Sequence, residues 1–117
     1  MNVLRPLLFL VALYLTLLLR AAVAFELEFV TASEQSFDEP HDIVLSPDRR
    51  YLYVADKYSH QIKVLAADGT LILTLGSGRS NLGPGEFDRP EGVEILGSDV
   101  WFSDTYNDRI VRYRIVE

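Results

Sequence analysis

The 117-residue sequence contains no cysteine, so no disulfide bond stabilises its fold. It is also short of positive charge, with 11 lysine and arginine residues against 17 aspartate and glutamate residues. An acidic surface repels phosphate backbones, which argues against nucleic acid as a partner. The sequence has no calcium-binding loop of the D-x-D-x-D-G type and no G-x-S-x-G motif. We therefore expect packing or partner molecules, rather than bound ions, to hold the fold together.

The first 24 residues have the order of a secretory signal peptide. Arg5 precedes an apolar run from Leu7 to Leu19, and small residues follow at 22–24. The run is interrupted at Arg20 and falls short of the roughly 20 residues that span a membrane. We predict cleavage after Ala24, a secreted or extracytoplasmic location and no stable membrane anchor; an uncleaved anchor is the alternative.

Cleavage would leave residues 25–117, which is the size of one small domain. With the two arginines of the leader removed, nine basic residues face seventeen acidic ones, a formal net charge of −8. A chain of this length buries a modest core.

Two stretches of the mature chain contain similar residues in the same order. FDEPHD begins at Phe37 and FDRPEG begins at Phe87, 50 residues later, whereas Asp56 and Asp104 are 48 residues apart. The spacing therefore shortens by two residues within the unit. This change lies between two strands, where surface turns tolerate insertions. Self-similarity at this period is typical of stacked structural repeats.

Short apolar runs separated by turn residues predict an all-β fold. The predicted strands are Ile43–Ser46, Tyr51–Ala55, Gln61–Leu65, Leu71–Leu75, Val93–Leu96, Val100–Ser103 and Arg109–Ile115. Four short antiparallel strands per repeat of about 40 to 50 residues describe one blade of a β-propeller. We predict about two blades after an N-terminal signal helix, with blade 1 at 37–76, blade 2 at 87–117, and an outer strand (Phe25–Val30) and linker at 25–36.

The motifs GPGEFDRPEGV and FSDTYNDRIVRY resemble the NHL repeat, whose pattern is G-x-G-x-F-x-x-P-x-G-V, a strand ending in Asp, and then N-x-R-I. The resemblance covers about residues 37–113. The first repeat departs from it, because it lacks the paired glycines and has His41 and Asp42 where the second has Glu91 and Gly92. Our first hypothesis is a secreted, non-enzymatic module that binds a protein or peptide through loops at the blade edges.

Five residues are the candidates for binding, and they lie in turns or at strand entries: His41, Asp42, Glu91, Tyr58 and Tyr106. The tyrosines suit either proton transfer or exposed contacts, and we prefer contacts. Three others have structural roles. Asp56 and Asp104 close a strand, where a carboxylate accepts hydrogen bonds from N–H groups of the following turn, and Arg109 can reach back to Asp104.

Packing residues follow from the same repeat. Ile62, Ile110 and Tyr113 are predicted core residues, and the glycine-rich GSGRSNLGPG is predicted to be a flexible connection between blades.

An enzyme is the alternative function. The propeller of the peptidyl-hydroxyglycine amidating lyase is similar in its blades and carries P-H-x-[LI] at zinc-binding blade entries, as PHDI does at Pro40–Ile43. That resemblance implies His41 as a zinc ligand. A catalytic zinc takes about three protein ligands, however, and the second repeat offers Glu91 at the matching place. The binding module itself implies no cofactor.

Two blades are too few for a ring, since propellers use about four to eight. Three chains would supply six blades, with Phe25–Val30 completing a sheet against Arg109–Ile115 of its own chain or the next. Such a homotrimer would also direct three His41 side chains to one channel. The competing explanation is that the chain is a piece of a longer propeller.

Overall fold

The computed structural model describes residues 4–21, 25–33 and 36–116. The chain forms two compact units, Met1–Thr31 and Ala32–Glu117. In the first unit, helix α1 spans Leu4–Ala21, which confirms the N-terminal helix. None of the described helices is both long and apolar enough for a membrane span. The expected cleavage point after Ala24 lies outside the described residues, so the signal peptide stays a prediction.

Residues 25–30 do not form the strand expected from their alternating sequence. Residues 25–33 have no regular secondary structure. The side chains of Phe25, Leu27, Phe29 and Val30 are 82–86% exposed. A strand persists where a neighbouring strand pairs its backbone groups, and neither described sheet includes this segment.

Blade 1 is a four-stranded antiparallel sheet in chain order. Its strands are β1 (Pro40–Leu45), β2 (Tyr51–Asp56), β3 (Gln61–Ala66) and β4 (Leu71–Leu75). A 3₁₀ turn, Lys57–Ser59, joins β2 to β3. The sheet begins at Pro40, three residues before the predicted start, because Pro40 pairs with Asp56 across an irregularity in the register.

Blade 2 repeats this arrangement with three strands. They are β5 (Gly92–Leu96), β6 (Asp99–Asp104) and β7 (Arg109–Arg114), in that order across the sheet. A second 3₁₀ turn, Thr105–Asn107, joins β6 to β7. The predicted all-β fold with propeller-type blades is therefore confirmed, and β7 is the outer edge of blade 2 among the described residues.

The backbone also shows the repeat. Glu39 and Arg89, 50 residues apart, have φ angles of 61° and 49°, and His60 and Asp108, 48 residues apart, have 56° and 52°. Side-chain-bearing residues seldom adopt this left-handed region. Two matched pairs therefore mean that both blades have the same loop before the first strand and the same turn after the second.

The core lies between the two sheets. Its buried members are Ala55, Ile62, Phe87, Val93, Val100 and Phe102. The rings of Phe87 and Phe102 meet edge to face, with centroids 5.9 Å apart. Gly76 makes room for Phe87, because a Cβ there would lie 2.8 Å from the carbonyl oxygen of His60 and 3.3 Å from the phenyl ring.

Two isoleucines at matched positions differ in burial. Ile62 is 0% exposed, as predicted, whereas Ile110 is 64% exposed, so its assignment to the core is wrong. Val111 and Tyr113 pack against the core from β7, and Ile110 lies on the opposite face of that strand. That face of blade 2 has no second sheet over it among the described residues.

Each blade buries one carboxylate completely. In blade 1, Asp56 accepts a hydrogen bond from the backbone N–H of Asp38 at 2.8 Å and pairs with the ammonium group of Lys63 at 2.6 Å. In blade 2, Asp104 accepts one from the backbone N–H of Asp88 at 2.8 Å and pairs with Arg109 at 2.7 Å. The predicted contact between Arg109 and Asp104 is confirmed.

The predicted backbone donors to these carboxylates were wrong. They lie in the loop before each blade, 18 and 16 residues upstream, and not in the following turn. The turn N–H groups are already engaged, because Lys57 and Tyr58 donate to the carbonyl oxygens of Glu39 and Asp38. The carboxylate and the turn therefore hold the same loop from two sides.

Arg109 also forms hydrogen bonds with the segment that connects the two blades. Its guanidinium donates to the carbonyl oxygens of Leu82, Gly83 and Glu86 at 2.7, 3.0 and 2.9 Å. Asn107 donates to the carbonyl oxygen of Asn81 at 2.8 Å. The connection expected to be flexible is thus held along residues 81–86.

Replacing Asp104 with alanine should destabilise the fold by about 3 kcal/mol, since it leaves the cation of a buried pair without its partner. Asp56→Ala should act in the same direction. Glu94→Ala, at an exposed position, is the control and should change stability by less than about 0.5 kcal/mol. Urea unfolding measures all three. Equal midpoints for Asp104→Ala and Glu94→Ala would contradict the role of the buried pair.

Candidate binding face

The structure brings the five candidate binding residues to one end of the blades. We call it the 3₁₀ end: the turns 57–59 and 105–107 together with the loops 38–42 and 88–92 that enter β1 and β5. The opposite end, the hairpin end, carries the turns at 46–50 and 97–98. A meander places these two groups of turns at opposite ends of each sheet, because successive strands run in opposite directions.

An ion pair joins the two blades at the 3₁₀ end. The ammonium group of Lys57 lies 2.9 Å from a carboxylate oxygen of Glu91 and 3.8 Å from one of Glu39. Lys57 belongs to the turn of blade 1, and Glu91 to the entry of blade 2. Lys57 was not among the predicted site residues, because the pair exists only once the blades are side by side. The sequence does show one sign of this role: the first repeat has the basic Lys57 in the motif DKY, where the second repeat has a threonine in DTY.

Each partner of this pair favours the charged state of the other. The hydrogen bond from Lys57 lowers the pKa of Glu91 from its ordinary value of 4.5, against the opposing effect of desolvation. The same hydrogen bond raises the pKa of Lys57 above 10.5. The nearby His41 and Thr105 also lower the pKa of Glu91. Both groups are therefore charged at neutral pH.

His41 lies beside the same residue. Its Nδ1 is 3.2 Å from the carbonyl oxygen of Glu91, which can only accept, so Nδ1 carries the proton. The described residues contain no group of three His, Cys, Asp or Glu side chains that could hold a metal ion. The zinc role of His41 stays a prediction.

Asp42 joins the innermost strands of the two blades. Its Oδ1 accepts from the backbone N–H of Ile43 at 2.9 Å, and its Oδ2 accepts from that of Val93 at 3.0 Å. The second bond crosses from β1 to β5. Asp42 therefore positions the two strand entries relative to each other.

Tyr58 and Tyr106 are matched, exposed side chains of the two 3₁₀ turns. They are 43% and 52% exposed. Each ring has a cation over it: Lys57 at 5.3 Å from the centroid of Tyr58, and Arg89 at 4.3 Å from that of Tyr106. Such contacts restrict the ring and leave an aromatic surface with a polar tip.

His60 forms a hydrogen bond with the backbone of Arg89. The backbone N–H of Arg89 donates to Nδ1 of His60 at 3.2 Å, which joins the turn of blade 1 to the loop entering blade 2. His60 therefore has a structural role where the two blades meet. Arg89, like Lys57, was not among the predicted site residues.

The pH titration of the Glu91 carboxylate should reveal its ion pair with Lys57. Because the folded pKa is lowered, the contribution of the pair is present above about pH 4.5 and is lost as pH falls through the folded pKa. Carbon-13 NMR of the side-chain carboxyl should give a midpoint below 4.5. Lys57→Met should raise that midpoint and leave Glu86 unchanged, since hydrogen bonds from Ser77 lower the pKa of Glu86. An unchanged Glu91 midpoint in Lys57→Met would contradict the assignment.

The chain is similar to a known protein over about half of its length. Serum paraoxonase/arylesterase 2 of Rattus norvegicus is 38% identical to this chain over 61 residues, which is 52% of the chain and 17% of that protein. The shared segment thus spans less than a fifth of the relative's length.

The family model of the NHL repeat matches residues 37–65. This range runs from the loop that Asp56 holds to the fifth residue of β3. It covers the repeat that lacks the paired glycines, so the resemblance seen in the second repeat extends to the first. Residues 37–65 match the model of the NHL repeat, and the two sheets have the form of propeller-type blades.

Proposed function

We propose that this chain is an exported NHL-type module that binds a protein or peptide through its 3₁₀ end. The observation that carries the proposal is the pair Tyr58 and Tyr106, exposed at matched places on adjacent blades and each contacted by a cation. Tyrosine is enriched among the residues that dominate binding energy at protein interfaces.

The scaffold below the tyrosines favours binding. Both turns follow a buried carboxylate that forms an ion pair with a cation, and the Lys57–Glu91 ion pair joins the blades between them. Groups that are already ordered lose little conformational entropy when a partner binds. The two rings therefore form a prepared contact surface.

The polar groups around the rings indicate the chemistry of the partner. Lys57 and Arg89 supply positive charge, and Glu39 and Glu91 supply negative charge, so the face carries no single sign. A partner that fits presents apolar or aromatic side chains to the tyrosines and both donors and acceptors around them. An extended peptide can meet both turns at once.

Export is supported by the N-terminal sequence. The helix α1 contains the apolar run after Arg5, and the residues after it are small. This is the order of charged, apolar and small segments that an export signal needs.

The binding proposal is tested with peptides selected from a random library displayed on phage. Tyr58→Ala and Tyr106→Ala should each weaken an enriched peptide by about 1 to 2 kcal/mol, or roughly tenfold, because each removes an anchoring ring. Leu96→Ala is the control, since Leu96 is 74% exposed but lies at the hairpin end. Calorimetry gives the affinities. Peptides that are sensitive to Leu96 and indifferent to both tyrosines would place the site elsewhere.

The export proposal has its own test. N-terminal sequencing of chain recovered outside the producing cells should begin at Phe25. Leu10→Arg interrupts the apolar run and should keep the chain inside. Exported protein that begins at Met1 would contradict the signal peptide.

A further inference from the structure

The outer edge of blade 2 lacks the strand that blade 1 has at the same place. In blade 1, β3 pairs with β4, and Ile62, Lys63, Val64 and Leu65 have partners there. In blade 2, β7 pairs with β6 on one side and with no described strand on the other. An unpaired edge of backbone N–H and C=O groups is a template for another strand.

The two faces of β7 specify what that strand must carry. Val111 and Tyr113 face the core, so an added strand needs apolar side chains on this side. Arg112 and Arg114 lie on the other face, with side chains 53% and 64% exposed. Acidic side chains suit that side, because Asp99 is the acidic partner of both arginines.

A cleft lies beside the core-facing side of β7. Its volume is about 510 Å³, and its apolar lining includes Tyr53, Leu73, Leu75, Val100, Tyr113 and Ile115. Side chains from a strand added next to Tyr113 would enter this cleft. The cleft thus provides the space that large apolar residues of a fourth strand would fill.

Residues 25–30 have the required pattern. Phe25, Leu27 and Phe29 alternate with Glu26 and Glu28. Alternation puts the three apolar residues on one face of a strand and the two carboxylates on the other. The apolar residues are 82–83% exposed, so they have no core of their own.

The order of the repeat indicates which molecule receives this strand. β4 precedes the FDRP loop of blade 2 but lies in blade 1, the neighbouring blade. Residues 25–30 precede the FDEP loop of blade 1 in the same way, so the repeat assigns them to a blade other than blade 1. Blade 2 of the same chain occupies the face with Ala55 and Ile62. The three-stranded blade 2 of a second copy offers an edge of this kind.

We propose that β7 accepts Phe25–Val30 of a second copy as its fourth strand. Glu26 and Glu28 would then lie beside Arg112 and Arg114, and Phe25, Leu27 and Phe29 would fill the cleft. This surface does not involve the tyrosines of the 3₁₀ end, so it stands or falls independently of the binding proposal.

The absence of cysteine makes a cross-linking test specific. Glu28→Cys and Ile110→Cys are co-expressed as full-length chains with C-terminal tags of different mass. A bis-maleimide with a span of about 8 Å, the distance between diagonal neighbours on paired strands, is added to the extract. Denaturing electrophoresis should show the covalent heterodimer carrying both tags. All substituted positions are exposed, so the fold tolerates the changes.

The control pairs Glu28→Cys with Glu94→Cys on β5. That strand would lie three strand spacings, or about 14 Å, from the added strand, which is beyond the reagent. Heterodimer from the Ile110 pair and its loss in the Glu94 pair support the proposal. Equal yields in both pairs, or no heterodimer in either, overturn it.

The double variant Glu28→Cys/Ile110→Cys distinguishes two molecules from one. The proposal predicts covalent dimers and larger species from this variant. A product that runs as a monomer, with both cysteines joined within one chain by mass spectrometry, overturns pairing between copies.

Discussion

A buried carboxylate at the end of the second strand of each blade determines the position of the 3₁₀ end. Asp56 and Asp104 are fully buried, and an unpaired charge in such a place costs several kcal/mol. A cation and a backbone N–H must therefore both be present. The N–H comes from the loop before the first strand, so neutralising the carboxylate also places the entries of β1 and β5. His41 and Glu91 lie in these entry segments, so the same hydrogen bonds also determine their positions.

The two blades meet this requirement with different cations. In blade 1, Lys63 pairs with Asp56 and donates to the carbonyl oxygen of Ser36. In blade 2, Arg109 pairs with Asp104 and also reaches three carbonyl oxygens. A lysine is a point charge, whereas the five N–H groups of an arginine diverge in a plane. Arg109 can therefore hold a long connection, and Lys63 only the end of a short one.

Local patterns in the sequence were sufficient to predict the strands of the two described sheets and the matched turns that carry the candidate tyrosines. Turn residues and alternation predicted β2 to within one residue, and the repeat placed Tyr58 and Tyr106 at matched turns. Features that depend on contacts between blades were not predictable in this way. Lys57 is an ordinary turn lysine until blade 2 brings Glu91 to it.

Exposure was the other property that the repeat could not predict. Ile62 and Ile110 have the same place in their strands, but among the described residues only Ile62 has a neighbouring sheet over it. Residues 25–30 show the same limit, because an alternating pattern predicts a strand without showing whether a partner edge is present. Both differences reflect how many blades surround a residue, which the local sequence does not encode.

The meander order of the strands has a consequence for how the chain folds. Every pairing within the two sheets joins strands that are neighbours in the sequence. Sequence-local contacts require only short loops to close, and chains rich in them cross their folding barrier faster than those built on distant pairings. Blade 1 has all of its strands within the chain up to Leu75, so this sheet can pair without waiting for the strands of blade 2.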